Sequence, residues 1–161
     1  MEKLDKIVKM LKEKNKYVST MESCTGGGLV NAITNITGAS EILKFSAVTY
    51  SNEFKIKMGV PKETIDTYSV YSMETAIDMS KKISEFTNSN YGIGITGKLN
   101  RADIINLAGD DNMVYFSIYN KDTNTNYNDS IRVSKSSREE NKDEVITKIV
   151  NNFYEILKKE D

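Results

Sequence analysis

The sequence predicts an α/β protein, a three-layer α/β/α sandwich around a mixed, mostly parallel sheet. Three observations carry this. Segments with apolar residues at helical spacing alternate with short apolar or β-branched runs. A glycine-rich turn joins the first strand-like run to a helical segment. Near the end, two strand-like runs flank a polar turn, and such a hairpin adds antiparallel pairs to the sheet.

Element by element, Leu4, Ile7, Val8 and Leu11 recur with lysines between them, which predicts an amphipathic helix over 2–14. Residues 17–21 read as a short buried strand. The turn Ser23-Cys24-Thr25-Gly26-Gly27-Gly28 follows. Leu29, Val30, Ile33 and Ile36 then continue at helical spacing to Gly38, expected as the residue just past the helix. Residues 45–50 form a second strand-like run. Residues 52–58 form a short helical turn, closed by Gly59 and restarted at Pro61. Ser72 caps a helix over 73–87, with Ala76, Ile77, Ser80, Ile83 and Phe86 expected inward. Residues 91–96 read as a strand, 97–112 as a polar loop, and 113–119 with 127–133 as the hairpin. The last helix is expected over 140–158, with Val145, Ile149, Val150, Phe153 and Leu157 among its apolar face.

Neither a repeat nor a linker-like stretch divides the 161 residues, so one domain over 1–161 is expected. Hydrophobic residues make up 39% and charged residues 28%, the balance of a folded chain with a real core. A net charge of −1 disfavours nucleic-acid binding by bulk electrostatics. The chain lacks a long apolar run that would span a membrane, and its charged N-terminal segment does not read as a signal peptide. A cytoplasmic location is the expectation. One cysteine excludes an internal disulfide and a cysteine-rich zinc site. The absence of histidine excludes a Ser-His-Asp triad, a Cys-His dyad and every histidine-based metal motif. Any general base must be Lys, Tyr, Asp, Glu or water.

Ser23 stands where a strand ends and a helix begins, before three glycines. A hydroxyl there is exposed at the carboxyl edge of the sheet, and the glycines admit a ligand close to the backbone. N–H groups of the first helical turn can face developing negative charge. Ser23 is therefore a candidate nucleophile; the alternative is a serine that caps a tight turn. With histidine missing, lysine can activate it if burial keeps the amine partly neutral. Tyr50 and Lys55 follow the second strand, whose end opens on the same edge if the two strands are parallel. Taken singly, Lys55 reads more readily as one of many surface lysines, and Tyr50 as a strand end. Glu22 can orient Lys55 or the turn, or serve as a cap partner. Cys24 reads as a small packed residue, and Met73 and Met79 as core. The phosphate-loop pattern G-x-x-x-x-G-K-[ST] and the dinucleotide fingerprint G-x-G-x-x-G are both absent.

Glu22-Ser23-Cys24-Thr25-Gly26-Gly27, followed by Val48-Thr49-Tyr50-Ser51-Asn52-Glu53 and Lys55, resembles the CinA C-terminal domain family. Val70-Tyr71-Ser72 and Ile93-Gly94-Ile95-Thr96-Gly97 fit the same pattern. The resemblance covers nearly the whole chain, most strongly about residues 20–97. It implies an α/β/α domain and, as in characterised members, deamidation of nicotinamide mononucleotide to nicotinic acid mononucleotide and ammonia, with no cofactor and no metal. Ser23, Tyr50 and Lys55 correspond to the family's catalytic group. Thr25, Gly26, Gly27 and Gly97 fall at oxyanion or substrate-binding positions. The partner implied is a small nucleotide substrate, and members are commonly homodimers.

Two stretches depart from the family pattern. After Gly97 the family continues in a Gly-Pro-Gly-Gly-rich loop, replaced here by Lys98-Leu99-Asn100-Arg101 and residues up to Asn106. A Gly-Asp-Arg run before the last helix is Ser136-Ser137-Arg138 here. Arg138 is a candidate phosphate partner, because a guanidinium matches phosphate geometry. Lys98 and Arg101 can supply charge in the altered loop, or all three are solvated surface charges. Two other readings stand beside the amidase: a non-catalytic nucleotide-binding or interaction module on the same scaffold, and an amidase with a different substrate.

Overall fold

The computed structural model describes residues 2–100 and 111–160. Helix α1 (Glu2–Glu13) leads to strand β1 (Val18–Glu22) and helix α2 (Gly28–Thr34), then a short 3-10 turn, Ala39–Glu41. Strand β2 (Ala47–Val48) is followed by helices α3 (Asn52–Lys57), α4 (Lys62–Tyr68) and α5 (Met73–Thr87). Strands β3 (Tyr91–Gly97), β4 (Met113–Asn120) and β5 (Thr125–Arg132) precede helix α6 (Arg138–Lys159). The sheet order is β2-β1-β3-β4-β5. Strands β2, β1 and β3 are parallel, whereas β4 runs antiparallel to both β3 and β5. The expected mixed sheet is therefore present, and every strand but β4 points the same way.

Alternation along the strands makes the layers. Val18 of β1, Ile93 and Ile95 of β3 and Phe116 of β4 face one side, where they meet the apolar stripes of α1, α2 and α6. Met21 faces the other side, with Met79 and Ile83 of α5 and Val60, Ile65 and Val70. Helix α5 lies very close to β3: a Cβ at Gly92 would sit 2.1 Å from the Ser80 carbonyl oxygen, and one at Gly94 would sit 2.3 Å from that of Ala76. The glycines of this strand thus permit a backbone-on-backbone approach.

Several boundaries differ from expectation. The strand expected over 45–50 shrinks to two residues, because the Ser46 hydroxyl takes the Thr20 N–H at 3.0 Å in place of a ladder partner. The helix after the glycine turn ends at Thr34 with Asn35 as its cap, so Gly38 is not its terminator. At φ 93°, Gly38 instead begins the 3-10 turn. Phe86 is not inward; it is 65% exposed and packs on Phe45 with the rings tilted at 53°, while Met79 fills the core. The hairpin reaches 113–120 and 125–132 across a tighter turn with Asn124 at positive φ. The last helix starts at Arg138, because the Ser137 hydroxyl accepts the Glu140 N–H. Of the expected loop over 97–112, Gly97 belongs to β3, and residues 101–110 lie outside the described residues. Among the described residues no helix is long and apolar enough to cross a membrane.

Candidate active site

Strands β1 and β2 end on the same edge of the sheet, since they run parallel. Ser23 follows β1 directly, and its N–H donates to the Ile95 carbonyl of β3 at 3.1 Å. The chain leaving β2 turns at Thr49 and Tyr50, and the Ser51 hydroxyl caps α3 by accepting the Phe54 N–H. This short helix returns Lys55 toward the strand ends. The result is direct contact: Lys55 Nζ lies 3.0 Å from Ser23 Oγ. Nζ also donates to the Thr49 carbonyl at 2.7 Å and lies 3.5 Å from the Tyr50 carbonyl.

Both partners are buried. Lys55 is 1% exposed and Ser23 7%. Among the described residues no carboxylate lies within ion-pair distance of Lys55. Burial therefore pushes its ammonium down from the usual 10.5 to about 8. A neutral lysine amine has two hydrogens and one lone pair. With the carbonyls of Thr49 and Tyr50 as acceptors, the lone pair is left for the Ser23 hydroxyl proton. Cys24, beside the serine, is chemically inert: burial pushes its thiol up to about 12 despite the nearby charges of Lys55 and Arg138. It packs in the core, as the sequence suggests.

Glu22 is a cap partner. Its fully buried carboxylate accepts the N–H groups of Leu29 (3.0 Å) and Val30 (2.8 Å) at the start of α2. It also accepts the hydroxyls of Thr20 (3.0 Å) and Thr25 (2.7 Å). The first helical turn is consequently not the oxyanion site expected from the sequence. Gly28 donates to the Thr25 carbonyl and Asn31 to that of Gly27, so these N–H groups are engaged as well. Gly26 donates to the Ser23 carbonyl at 2.9 Å. The N–H groups of Thr25 and Gly27 meet no acceptor among the described residues, and that of Cys24 meets only its own sulfur. Positive φ at Gly26 (60°) and Gly27 (91°) shapes this turn.

The remaining predicted residues fall at different distances from the chemistry. Tyr50 is 65% exposed, and its hydroxyl meets Arg138 Nη2 at 3.3 Å rather than Lys55 or Ser23. Arg138, at the first position of α6, thereby reaches the site edge. Gly97 has a structural reason to be glycine, since a Cβ there would sit 2.5 Å from the β4 backbone. Lys98 is not a solvated charge: it is 4% exposed, 3.5 Å from Asp111 and over the Tyr71 ring. Arg101 lies outside the described residues.

Sequence reasoning missed Lys142. Its ammonium would lie 3.4 Å from a Cβ at Gly26, directly over the turn. Its i, i+4 spacing from Arg138 on the last helix is the signal that could have found it. A groove of about 890 Å³ starts at residues 25–28 and Lys142 and runs between α1, α2 and α6. Among the described residues no cluster of acidic, cysteine or histidine side chains could hold a metal ion.

A family model described as the CinA C-terminal domain matches residues 1–159. A CinA-like protein from Endomicrobium trichonymphae is 43% identical over 90 residues, covering 55% of this chain and 21% of the relative. A relative from Clostridium acetobutylicum is 46% identical over 89 residues, 55% of this chain and 22% of its own length. The matched segment thus spans about a fifth of these relatives. Among solved structures, a CinA superfamily protein from Klebsiella pneumoniae superposes with a TM-score of 0.88 at 21% identity, covering 97% of this chain and 96% of that one. A competence/damage inducible protein from Agrobacterium tumefaciens gives 0.82 at 26% identity, covering 97% and 92%.

Proposed function

This chain belongs to the CinA C-terminal domain family, and from that premise we infer that it is a serine amidohydrolase that deamidates nicotinamide mononucleotide. The observation that carries the reading is the contact between Ser23 Oγ and the buried, carboxylate-free Lys55 amine. Neutral Lys55 takes the Ser23 proton as Oγ attacks the carboxamide carbon. The resulting oxyanion is held by N–H groups of the turn at Thr25 and Gly27. Lys55 returns the proton to the leaving nitrogen, ammonia departs, and the pyridine acyl group remains on Ser23 as an ester. Water then attacks the ester, giving up a proton to Lys55, and nicotinic acid mononucleotide leaves with Ser23 restored.

Arg138 and Lys142 support a nucleotide over a bare amide, because both cations stand at the turn without a carboxylate partner among the described residues. Tyr50 serves at the rim through Arg138, not as the proton carrier. The test is ammonia release from nicotinamide mononucleotide by purified protein, beside Ser23→Ala and Lys55→Ala. Turnover abolished by both substitutions is the expected result. Absence of turnover by well-folded wild type overturns the substrate assignment. Direct binding of the nucleotide without turnover then favours a non-catalytic module.

A further inference from the structure

We propose that Glu22 is a positioning residue for the nucleophile: its buried carboxylate fills the start of α2 and so fixes the turn that must hold the oxyanion. The proposal rests on the Ser23–Lys55 reading above. A helix start leaves four N–H groups without an intrahelical acceptor. A ligand usually exploits them, along with the positive end of the helix dipole. Here the protein consumes three of them and leaves the N-cap Gly27 N–H, while Asn31 makes the first intrahelical bond. Leu29 and Val30 donate to Glu22, Gly28 to Thr25 and Asn31 to Gly27.

The carboxylate is saturated. One oxygen accepts the Thr25 hydroxyl and the Leu29 N–H; the other accepts the Thr20 hydroxyl and the Val30 N–H. The Thr25 bond, at 2.7 Å, pins the residue whose own N–H is one of the free donors. The Glu22 main chain meanwhile reaches the base. Its carbonyl accepts the Thr49 N–H at 2.8 Å, the Thr49 carbonyl accepts Lys55 Nζ at 2.7 Å, and Lys55 meets Ser23 at 3.0 Å. Side chain and main chain of one residue therefore hold the two sides of the dyad in register. Glutamine cannot replace the carboxylate, because its NH2 would face N–H donors and twist the turn.

A small fluorophosphonate tests this without any amide substrate. Ser23 Oγ bonds to phosphorus, fluoride leaves, and the hydroxyl proton passes to Lys55. Glu22→Gln should lower the labelling rate per folded molecule at least tenfold, while the midpoint of the pH–rate profile stays that of the wild type. A merely structural role would lower the folded fraction and leave the rate of the folded molecules unchanged, and that result overturns the proposal. If Glu22→Gln does not fold, Thr25→Val decides. It removes one donor and leaves three, and a roughly threefold slower rate is expected. An unchanged rate in Thr25→Val again overturns the proposal. Failure of the wild type to label overturns the nucleophile itself, and the positioning role with it; labelling of the wild type together with unslowed variants overturns the positioning role alone.

Discussion

Lys55 sets both the reactivity of the site and a stability cost. As the base it must be unprotonated, and its folded-state value of about 8 places the transition in reach of ordinary assays. We expect kcat/KM to rise with pH through an apparent pKa near 8 and level above it. Lys55→Arg, which keeps the charge but cannot deprotonate, should cut turnover at least 100-fold across that range. The same shift links to folding. Below pH 8 both folded and unfolded chains hold the proton, and the buried ammonium destabilises the fold in full. Between pH 8 and 10.5 the unfolded chain binds more protons, so stability rises with pH. The shift corresponds to about 3 kcal/mol. Lys55→Met removes this cost but loses hydrogen bonds of about 1 kcal/mol each. The net expectation is a gain of about 1–2 kcal/mol at pH 7 that crosses zero near pH 9 and becomes a loss of about 1–2 kcal/mol near pH 10.5, read from urea denaturation at pH 7 and pH 10.5. A loss of stability at pH 7 would contradict it. Strand-end placement and the missing histidine made a Ser23–Lys55 pairing conceivable, and only the resemblance to the CinA C-terminal domain family singled Lys55 out among the lysines. The role of Glu22 was not legible, since acceptor choice among Thr20, Thr25, Leu29 and Val30 depends on where α2 starts relative to β1.

At the level of elements, β3 and α5 make the tightest interface of the site's framework. Gly94→Ala should cost about 2–3 kcal/mol, because its Cβ meets backbone that cannot step aside. Gly28→Ala offers a contrast. Its Cβ would meet the terminal carbon of Ile146 at 2.7 Å, a flexible side-chain end, and alanine favours the helix. Denaturation of both variants should separate them by about 2 kcal/mol. Helix α6 presents Arg138 and Lys142 to the turn, so Lys142→Met should raise KM about tenfold for the phosphate-bearing nucleotide, the worth of one charge-assisted hydrogen bond. Hydrolysis of the corresponding riboside should be unaffected. Periodicity revealed α5 and its cap to the residue, because Ser72 and the stripe through Ala76, Ser80 and Ile83 agree. It failed at β2, where apolar character over 45–50 suggests a strand but Ser46 diverts the ladder. It failed at Phe86 too, which sits on the helical stripe yet beyond the sheet's cover.

Across the whole molecule, the end of α6 is tied to the near face of the sheet, at β3, β4 and β5, by one carboxylate. Glu160 accepts the hydroxyls of Tyr91 and Tyr127 and the amide of Asn120. Burial pushes its carboxyl upward, but these hydrogen bonds outweigh burial and hold it below the usual 4.5. Its contribution to stability is present above the unfolded value and lost as pH falls through the lower folded one. Melting temperature should therefore fall more steeply below pH 4.5 in the wild type than in Glu160→Gln. Helix α6 also covers α1: Lys3 donates to Asn151 across 148 positions of sequence. The apolar stripe of Leu4, Ile7, Val8 and Leu11 meets Val18, Leu29 and Ile33 nearby in sequence, but its cover is completed only by a segment from the other end of the chain. Closing so long a loop is slow, so the rate of refolding is expected to follow the docking of α6 and not the winding of α1, and until that moment the first helix keeps part of its apolar stripe open to other chains.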